Sequence, residues 1–461
     1  ADPVGVFAGG PAAGLATSDW YAERGHTATL PSRGAQAALT VPGTIGGWAE
    51  ALSLVGPRAR PLSDLLAPAI RLAASGTAVS QNQVDVTADK LAGLRDVPGF
   101  APTYLHDDVV PLTGAALVQP ALAATLTRLA EAGLDDYYSG DIAATHARFL
   151  ENAGSPLRAS DLASYSARQV TPLTLTTRQG RLYNMIPPTQ GMSSLAILGI
   201  FDQLGVKTGE SFAHWHGLIE ATKQAFIIRN AELGDERSMR QPAADFLAPD
   251  HIAGMAKAID TERALPWPYD PTPGDTIWMG ASDAQGTVVS FIQSVFWEFG
   301  SGLTCEDTGV YFQNRGAGFT LSPGPNQLAP GKVPFHTLNP ALAELSDGRV
   351  LSYGTMGGEG QPQTQSALFT RYAVYDTSLQ QAITAPRWLL GKTWGDDTSS
   401  LKIEENSDPT LVRALRAAGH AVEMIPAFSS LVGHAGAVVR HSDGRTEAAT
   451  DPRSDGWAWA D

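Results

Sequence analysis

The chain reads as an α/β protein built from stacked layers of helix and sheet. Three observations predict this class. Helical periodicity dominates residues 41–165, strand-like alternation dominates from Thr276 onward, and each half still carries some of the other element. No internal repeat and no low-complexity linker interrupts the sequence, so the change of texture at 275/276 is not a boundary between independent domains. With 461 residues, 43% of them hydrophobic, the chain is long enough to bury a large core.

Residues 1–45 are rich in Gly, Ala and Thr and loop-like, with a short helix predicted at 18–24. Gly46-Gly47-Trp48-Ala49-Glu50-Ala51-Leu52 leads a first helix. Pro61-Leu62-Ser63-Asp64-Leu65-Leu66 starts a second, with Leu65, Leu66, Ala69, Ile70, Leu72 and Ala73 at helical spacing. Residues 120–165 continue as helices broken at Gly133 and Gly140. Strands over 169–177 and 182–186 flank a turn and predict a hairpin. Helices follow over 192–204 and 212–233, then a Pro-dense loop over 266–274. Strands are predicted at 276–282, 287–293, 309–313, 338–345, 350–354, 423–426 and 435–441, and helices at 363–374 and 379–385.

A net charge of −15 argues against nucleic acid or an anionic membrane as partner, since both select basic patches. No apolar run approaches the ~20 residues that span a bilayer. The single cysteine, Cys305, excludes an intrachain disulfide, and its acidic neighbours Glu306 and Asp307 make it a poor nucleophile. His214 and His216 are two residues apart on a predicted helix, which points their rings to different faces and disfavours a metal pair. No metal and no organic cofactor is expected. No leader is visible, which favours the cytoplasm over the periplasm or secretion.

The stretch Pro273-Gly274-Asp275-Thr276-Ile277-Trp278 carries the most chemistry. By itself Thr276 reads as the first residue of a core strand. If the Asp275–Thr276 bond is cut, the same residue holds a hydroxyl nucleophile and the free amine that activates it. Gly354-Thr355-Met356-Gly357-Gly358-Glu359-Gly360 then offers backbone N–H groups for an oxyanion. Ser294, eighteen residues past Thr276, sits on the strand predicted to pair with it. Gln313-Asn314-Arg315-Gly316 and His336-Thr337 are polar clusters at strand ends, where binding groups concentrate.

In this order the pieces resemble the γ-glutamyltranspeptidase family of N-terminal-nucleophile hydrolases. The matching stretches are Val41-Pro42-Gly43-Thr44-Ile45-Gly46-Gly47-Trp48, Pro61 to Ala73, Pro187-Pro188-Thr189-Gln190-Gly191 and Gly274-Asp275-Thr276. Phe299-Gly300-Ser301-Gly302, Pro330-Gly331-Lys332-Val333-Pro334, Gly357-Gly358 and Ala385-Pro386-Arg387 complete the set. The resemblance implies a four-layer αββα sandwich made as a precursor. Cleavage between Asp275 and Thr276 would leave a large subunit region, 1–275, and a small one, 276–461, which stay together and allow a dimer of heterodimers. It further implies Thr276 as nucleophile and base, Gly357 and Gly358 as oxyanion donors, and Ser294 as support for the nucleophile.

Departures from the family pattern bear on the substrate. γ-Glutamyl enzymes hold the α-amino group with acid and amide side chains, where this chain has Gln313-Asn314-Arg315-Gly316-Ala317-Gly318-Phe319. They hold the α-carboxylate with an early Arg and a Ser-Ser pair, where this chain has Val6 to Pro11 without Arg, and His336-Thr337. An Arg in place of an acid selects an anionic group. The pattern is nearest the oxamate amidohydrolase branch, with Arg315 as anion clamp and Asn314, His336 and Thr337 lining the pocket. Glutathione hydrolysis, γ-glutamyl transfer and glutaryl-cephalosporin acylation are the alternatives, and a non-processing binding protein is the reading outside enzymes. Family members also carry a segment ahead of the region matched by Val6 to Pro11, which this sequence does not show.

Overall fold

A computed structural model describes residues 2–267, 275–391 and 399–460. The chain forms two compact units: Ala1–Pro3, Thr171–Ser294 and Phe335–Asp461 make the first, and Val4–Val170 with Val295–Pro334 make the second. Each draws chain from both sides of Thr276. The subunit division at 275/276 therefore does not follow the compact bodies.

In the first unit the chain runs β1 Leu173–Thr177, β2 Gly180–Asn184, α1 Gly191–Leu204, α2 Phe212–Glu232, β3 Asp275–Ser282 and β4 Val288–Phe296, the last two residues of β4 being counted with the second unit. It continues through β5 Ala341–Leu345, β6 Val350–Thr355, α3 Gln361–Phe369, β7 Ala435–Arg440 and β8 Thr446–Thr450. A six-stranded sheet has the order β8-β7-β6-β5-β2-β1, with every neighbouring pair antiparallel. A smaller three-stranded sheet joins Trp388–Leu390, Leu401–Glu404 and Val422–Ile425.

The two faces of β6 show how the layers form. Tyr353 points to the helical side, its ring 5.8 Å from that of Phe369 on α3. Ser352 and Gly354 point the other way, as the two-residue period of a strand requires. There the β3–β4 hairpin lies on the sheet. Ser352 Oγ donates to the Val289 carbonyl at 2.8 Å, and the Trp278 indole covers Gly354 and Gly436 so closely that a Cβ on Gly354 would meet it at 2.1 Å. Helix α1 is buried on all sides from Gly191 to Phe201, matching a segment that is apolar all round. Helices, sheet and hairpin are three successive layers of the expected sandwich.

The second unit is mostly helical. Thr44–Val55, Leu62–Ser75, Pro120–Ala132 and Asp141–Ala153 form where the periodicity places them, and the breaks fall at Gly133 and Gly140. Their core contains Leu39, Leu129, Leu150, Leu303 and Phe312.

Three expectations change. The single strand over 169–177 is two, because Pro172 cannot donate to a ladder: Arg168–Val170 pairs with Gly5–Phe7 and Leu173–Thr177 with β2. The strand over 309–313 shrinks to Val310–Tyr311. The strand over 338–345 starts only at Ala341, after Pro340. Among the described residues no helix is long and apolar enough to cross a membrane.

Candidate active site

Thr276 is the second residue of β3. Along this strand Thr276, Trp278 and Gly280 are partly buried, while Ile277 and Met279 are about half exposed at 51% and 48%. The inward set faces the six-stranded sheet: a Cβ on Gly280 would touch Val438, and Trp278 covers Gly436 and Gly354. The same two-residue step sets Thr276 level with the end of β6, where the glycine turn begins. Gln361, the first residue of α3, reaches it there, with Nε2 3.4 Å from Thr276 Oγ1. The Asp275 side chain and residues 268–274, which include most of the Pro-dense loop, lie outside the described residues.

The β3–β4 turn closes through Asp283. Its N–H donates to the Thr287 carbonyl, and its carboxylate accepts the Thr287 N–H at 2.8 Å. Backbone hydrogen bonding around this turn holds the Asp283 carboxyl below its usual range. Arg440, at the end of β7, ties the turn down by donating to the Asp283 carbonyl. Continued along both strands, the Asp283–Thr287 register sets Ser294 across from Thr276.

Gly357 and Gly358 both have positive φ, 109° and 53°, a region that side chains with a Cβ rarely adopt. The Gly357 carbonyl accepts the Gly360 N–H, and the Gly358 carbonyl accepts Gln190 Nε2 at 2.8 Å. With the carbonyls held, the turn has backbone N–H groups left to offer: neither glycine N–H donates to another group among the described residues.

Gln190 is the centre of a buried support under this turn. Nε2 also donates to the Thr337 carbonyl at 2.8 Å, while Oε1 accepts from Arg229. Arg229 in turn pairs with Glu359 at 2.9 Å, with all three side chains buried. The His336 N–H donates to the Pro188 carbonyl and the Gln190 N–H to the His336 carbonyl. His336 and Thr337 are thus buried beside the turn, their backbone fixed by the Pro187–Gly191 stretch. Gln190, Arg229 and Gln361 were not singled out in the sequence. Gln190 lay within a recognised motif, whereas nothing local marks Arg229, one cation on a helix that meets Glu359 across 130 residues.

The other two expected binding residues lie in the second unit. The Asn314 carboxamide serves the backbone, donating to the Ser32 carbonyl at 2.8 Å and accepting the Trp297 N–H at 3.1 Å. Arg315 is 2% exposed, with its guanidinium 3.7 Å over the Phe296 ring, and burial pulls its pKa down to about 9. Phe296 has φ 82°, a costly conformation for a non-glycine residue. Arg33, also missed, donates to the Glu298 carbonyl at 2.6 Å and to that of Gly300.

Two other groups are accounted for. His214 and His216 do face apart: His214 bonds Thr370, and His216 bonds His420 and the Asp260 carbonyl. His216, Glu220 and His420 come within 4.8 Å, but the Lys223 ammonium sits 2.7 Å from Glu220 Oε1, which opposes a cation there. Cys305 is buried, and burial raises its pKa more than Asp307 does.

Residues 3–460 match the family model for gamma-glutamyltranspeptidase. The chain belongs to the gamma-glutamyltranspeptidase family. It is 49% identical to the oxamate amidohydrolase proenzyme of Klebsiella pneumoniae subsp. pneumoniae, over 99% of this chain and 87% of that one. It is 36% identical to the glutathione hydrolase-like YwrD proenzyme of Bacillus subtilis, over 96% and 84%. The crystal structure of cephalosporin acylase from Bacillus halodurans superposes with a TM-score of 0.90 at 28% identity, covering 99% of this chain and 85% of that one. The protein is an autoprocessing N-terminal-nucleophile amidohydrolase with the family's αββα fold, made as a precursor that is cut into large and small subunits and acts on a small molecule.

Proposed function

We propose that this enzyme hydrolyses a small anionic amide of the oxamate class, with Thr276 as nucleophile after scission of the Asp275–Thr276 bond. One observation supports the substrate reading above others. Arg315, a buried arginine, stands where γ-glutamyl enzymes carry acid and amide groups, and a guanidinium in that place suits an anionic group where those enzymes take an ammonium. The name of the relative at 49% identity agrees with this reading.

The chemistry follows from the residue types. The α-amine of Thr276 takes the hydroxyl proton as Oγ attacks the amide carbonyl. The negative oxygen of the tetrahedral intermediate accepts from the Gly357 and Gly358 N–H groups. Collapse breaks the C–N bond, and the departing ammonia takes the proton held by the amine. Water, deprotonated by the same amine, attacks the ester and releases the dicarboxylate. The sum is oxamate plus water giving oxalate plus ammonia. Ser294 supports the Thr276 hydroxyl, and Arg315 holds the substrate carboxylate through paired N–H donors.

The test is a substrate screen on purified protein with Thr276→Ala as control. The active chain should run as fragments of 275 and 186 residues on a denaturing gel and release ammonia from oxamate. Thr276→Ala should remain one band and lose turnover by about 10³-fold or more. Glutamate released from glutathione without ammonia from oxamate would overturn the substrate. An intact, active Thr276→Ala chain would overturn the nucleophile.

A further inference from the structure

Gln361 opens α3 immediately after the glycine turn, and its side chain is wholly buried. Its Nε2 lies 3.4 Å from Thr276 Oγ1, while its Oε1 meets no hydrogen-bond donor among the described residues. A buried acceptor without a donor destabilises a fold. Here it sits on the carboxamide that already reaches the reacting hydroxyl.

The precursor and the mature protein differ at one nearby atom. In the intact chain the Thr276 nitrogen is a peptide nitrogen with a single hydrogen. During scission Thr276 Oγ bonds to the Asp275 carbonyl carbon, the C–N bond breaks, and the nitrogen leaves as an amine carrying the hydroxyl proton. Water then hydrolyses the ester, leaving the Asp275 carboxylate and restoring the hydroxyl. The nitrogen now has hydrogens to donate that it lacked before.

We propose that Gln361 is a catalytic residue whose carboxamide bridges the two reactive groups of the new N-terminus: Oε1 accepts from the α-amine and Nε2 donates to Oγ. The orphaned acceptor of the precursor is then the seat of a donor that maturation creates. The bridge holds amine and hydroxyl in the geometry that proton transfer needs, and its amide oxygen favours the protonated amine. This rests on Thr276 being the nucleophile.

Two substitutions test it with opposite signs. Gln361→Glu has the same shape and places a carboxylate beside the amine, at a helix start that tolerates acids. It should raise the acidic limb of the kcat/KM profile by about one pH unit from the usual 7.7–8.0 of an α-amine. Gln361→Leu removes the acceptor and should lower that limb, with kcat reduced about tenfold. The readouts are ammonia from oxamate, or glutamate from glutathione if that is what the enzyme turns over, together with two-band conversion on gels and melting temperature. A variant that melts like the parent yet stays one band supports the contact to the hydroxyl. Parent-like cleavage with both limbs unmoved overturns the proposal. Failure of the nucleophile reading is separable, because Thr276→Ala would then keep its turnover whatever the Gln361 variants do.

Discussion

The glycine turn after β6 and the loop that carries Arg315 both hold buried, demanding chemistry, but they meet the demand differently. The turn uses residues without side chains at Gly357 and Gly358, then fixes them from below through Gln190, Arg229 and Glu359. Arg229 and Glu359, the two charges in that support, pair with each other. The Arg315 loop instead presses a guanidinium on an aromatic ring whose own backbone is strained at φ 82°. Burial there lowers the Arg pKa to about 9, a sign that the charge is held at a cost. The first arrangement suits chemistry common to a family of amide-cleaving enzymes. The second rests on one side chain rather than on backbone, so a single substitution there leaves the oxyanion donors untouched.

The largest expected effect falls on the turn. Gly357→Ala places a Cβ at φ 109° and 3.3 Å from the Gly433 Cα. The backbone must rotate to relieve that strain, and the N–H groups move with it. We expect kcat to fall by about 10²–10³, the usual loss for a misplaced oxyanion donor, with little change in KM. A parent-like kcat would remove the turn from the chemistry.

Arg315 should show the opposite pattern. Arg315→Ala is expected to raise KM for an anionic amide about tenfold to a hundredfold, with kcat much less affected, if the residue binds rather than reacts. Arg315→Lys keeps the charge but loses the planar face that stacks on Phe296, and should fall between the two. Unchanged KM in both variants breaks the contrast between the two regions.

Much of this was legible in the sequence because the signals are local. The start of β3 beside Thr276, the glycines at 357 and 358, and the helices broken at Gly133 and Gly140 each announce themselves within a few residues. The strand expected over 169–177 failed on one such signal, since Pro172 marks the break. What stayed hidden depends on distance. Arg229 meets Glu359 only through the fold, and the Gln361 contact with Thr276 joins residues 85 positions apart. Asn314 illustrates the converse: its position in a polar run suggests binding, but its carboxamide serves the backbone of Ser32 and Trp297.

A smaller effect compares the two units through their buried histidines. Burial lowers the pKa of His146 in the second unit to about 4, and those of His214 and His420 in the first to about 3. Each is therefore neutral in the native protein near neutrality, whereas in the unfolded chain it takes a proton near pH 6.5. Below that value the unfolded state binds more protons than the native one, so stability is complete above about pH 6.5 and is lost as pH falls toward the native values. Going from pH 7 to pH 5, each such group removes on the order of 2 kcal/mol. His146 can be tested alone, because its only hydrogen bond among the described residues is to Thr308 and its ring packs on Tyr137 and Phe312. His146→Gln should lower the melting temperature at pH 7 yet flatten its decline between pH 7 and pH 5. If the decline keeps its slope, His146 is not linked to unfolding, and the acid sensitivity belongs to the first unit, where His214 and His420 lie.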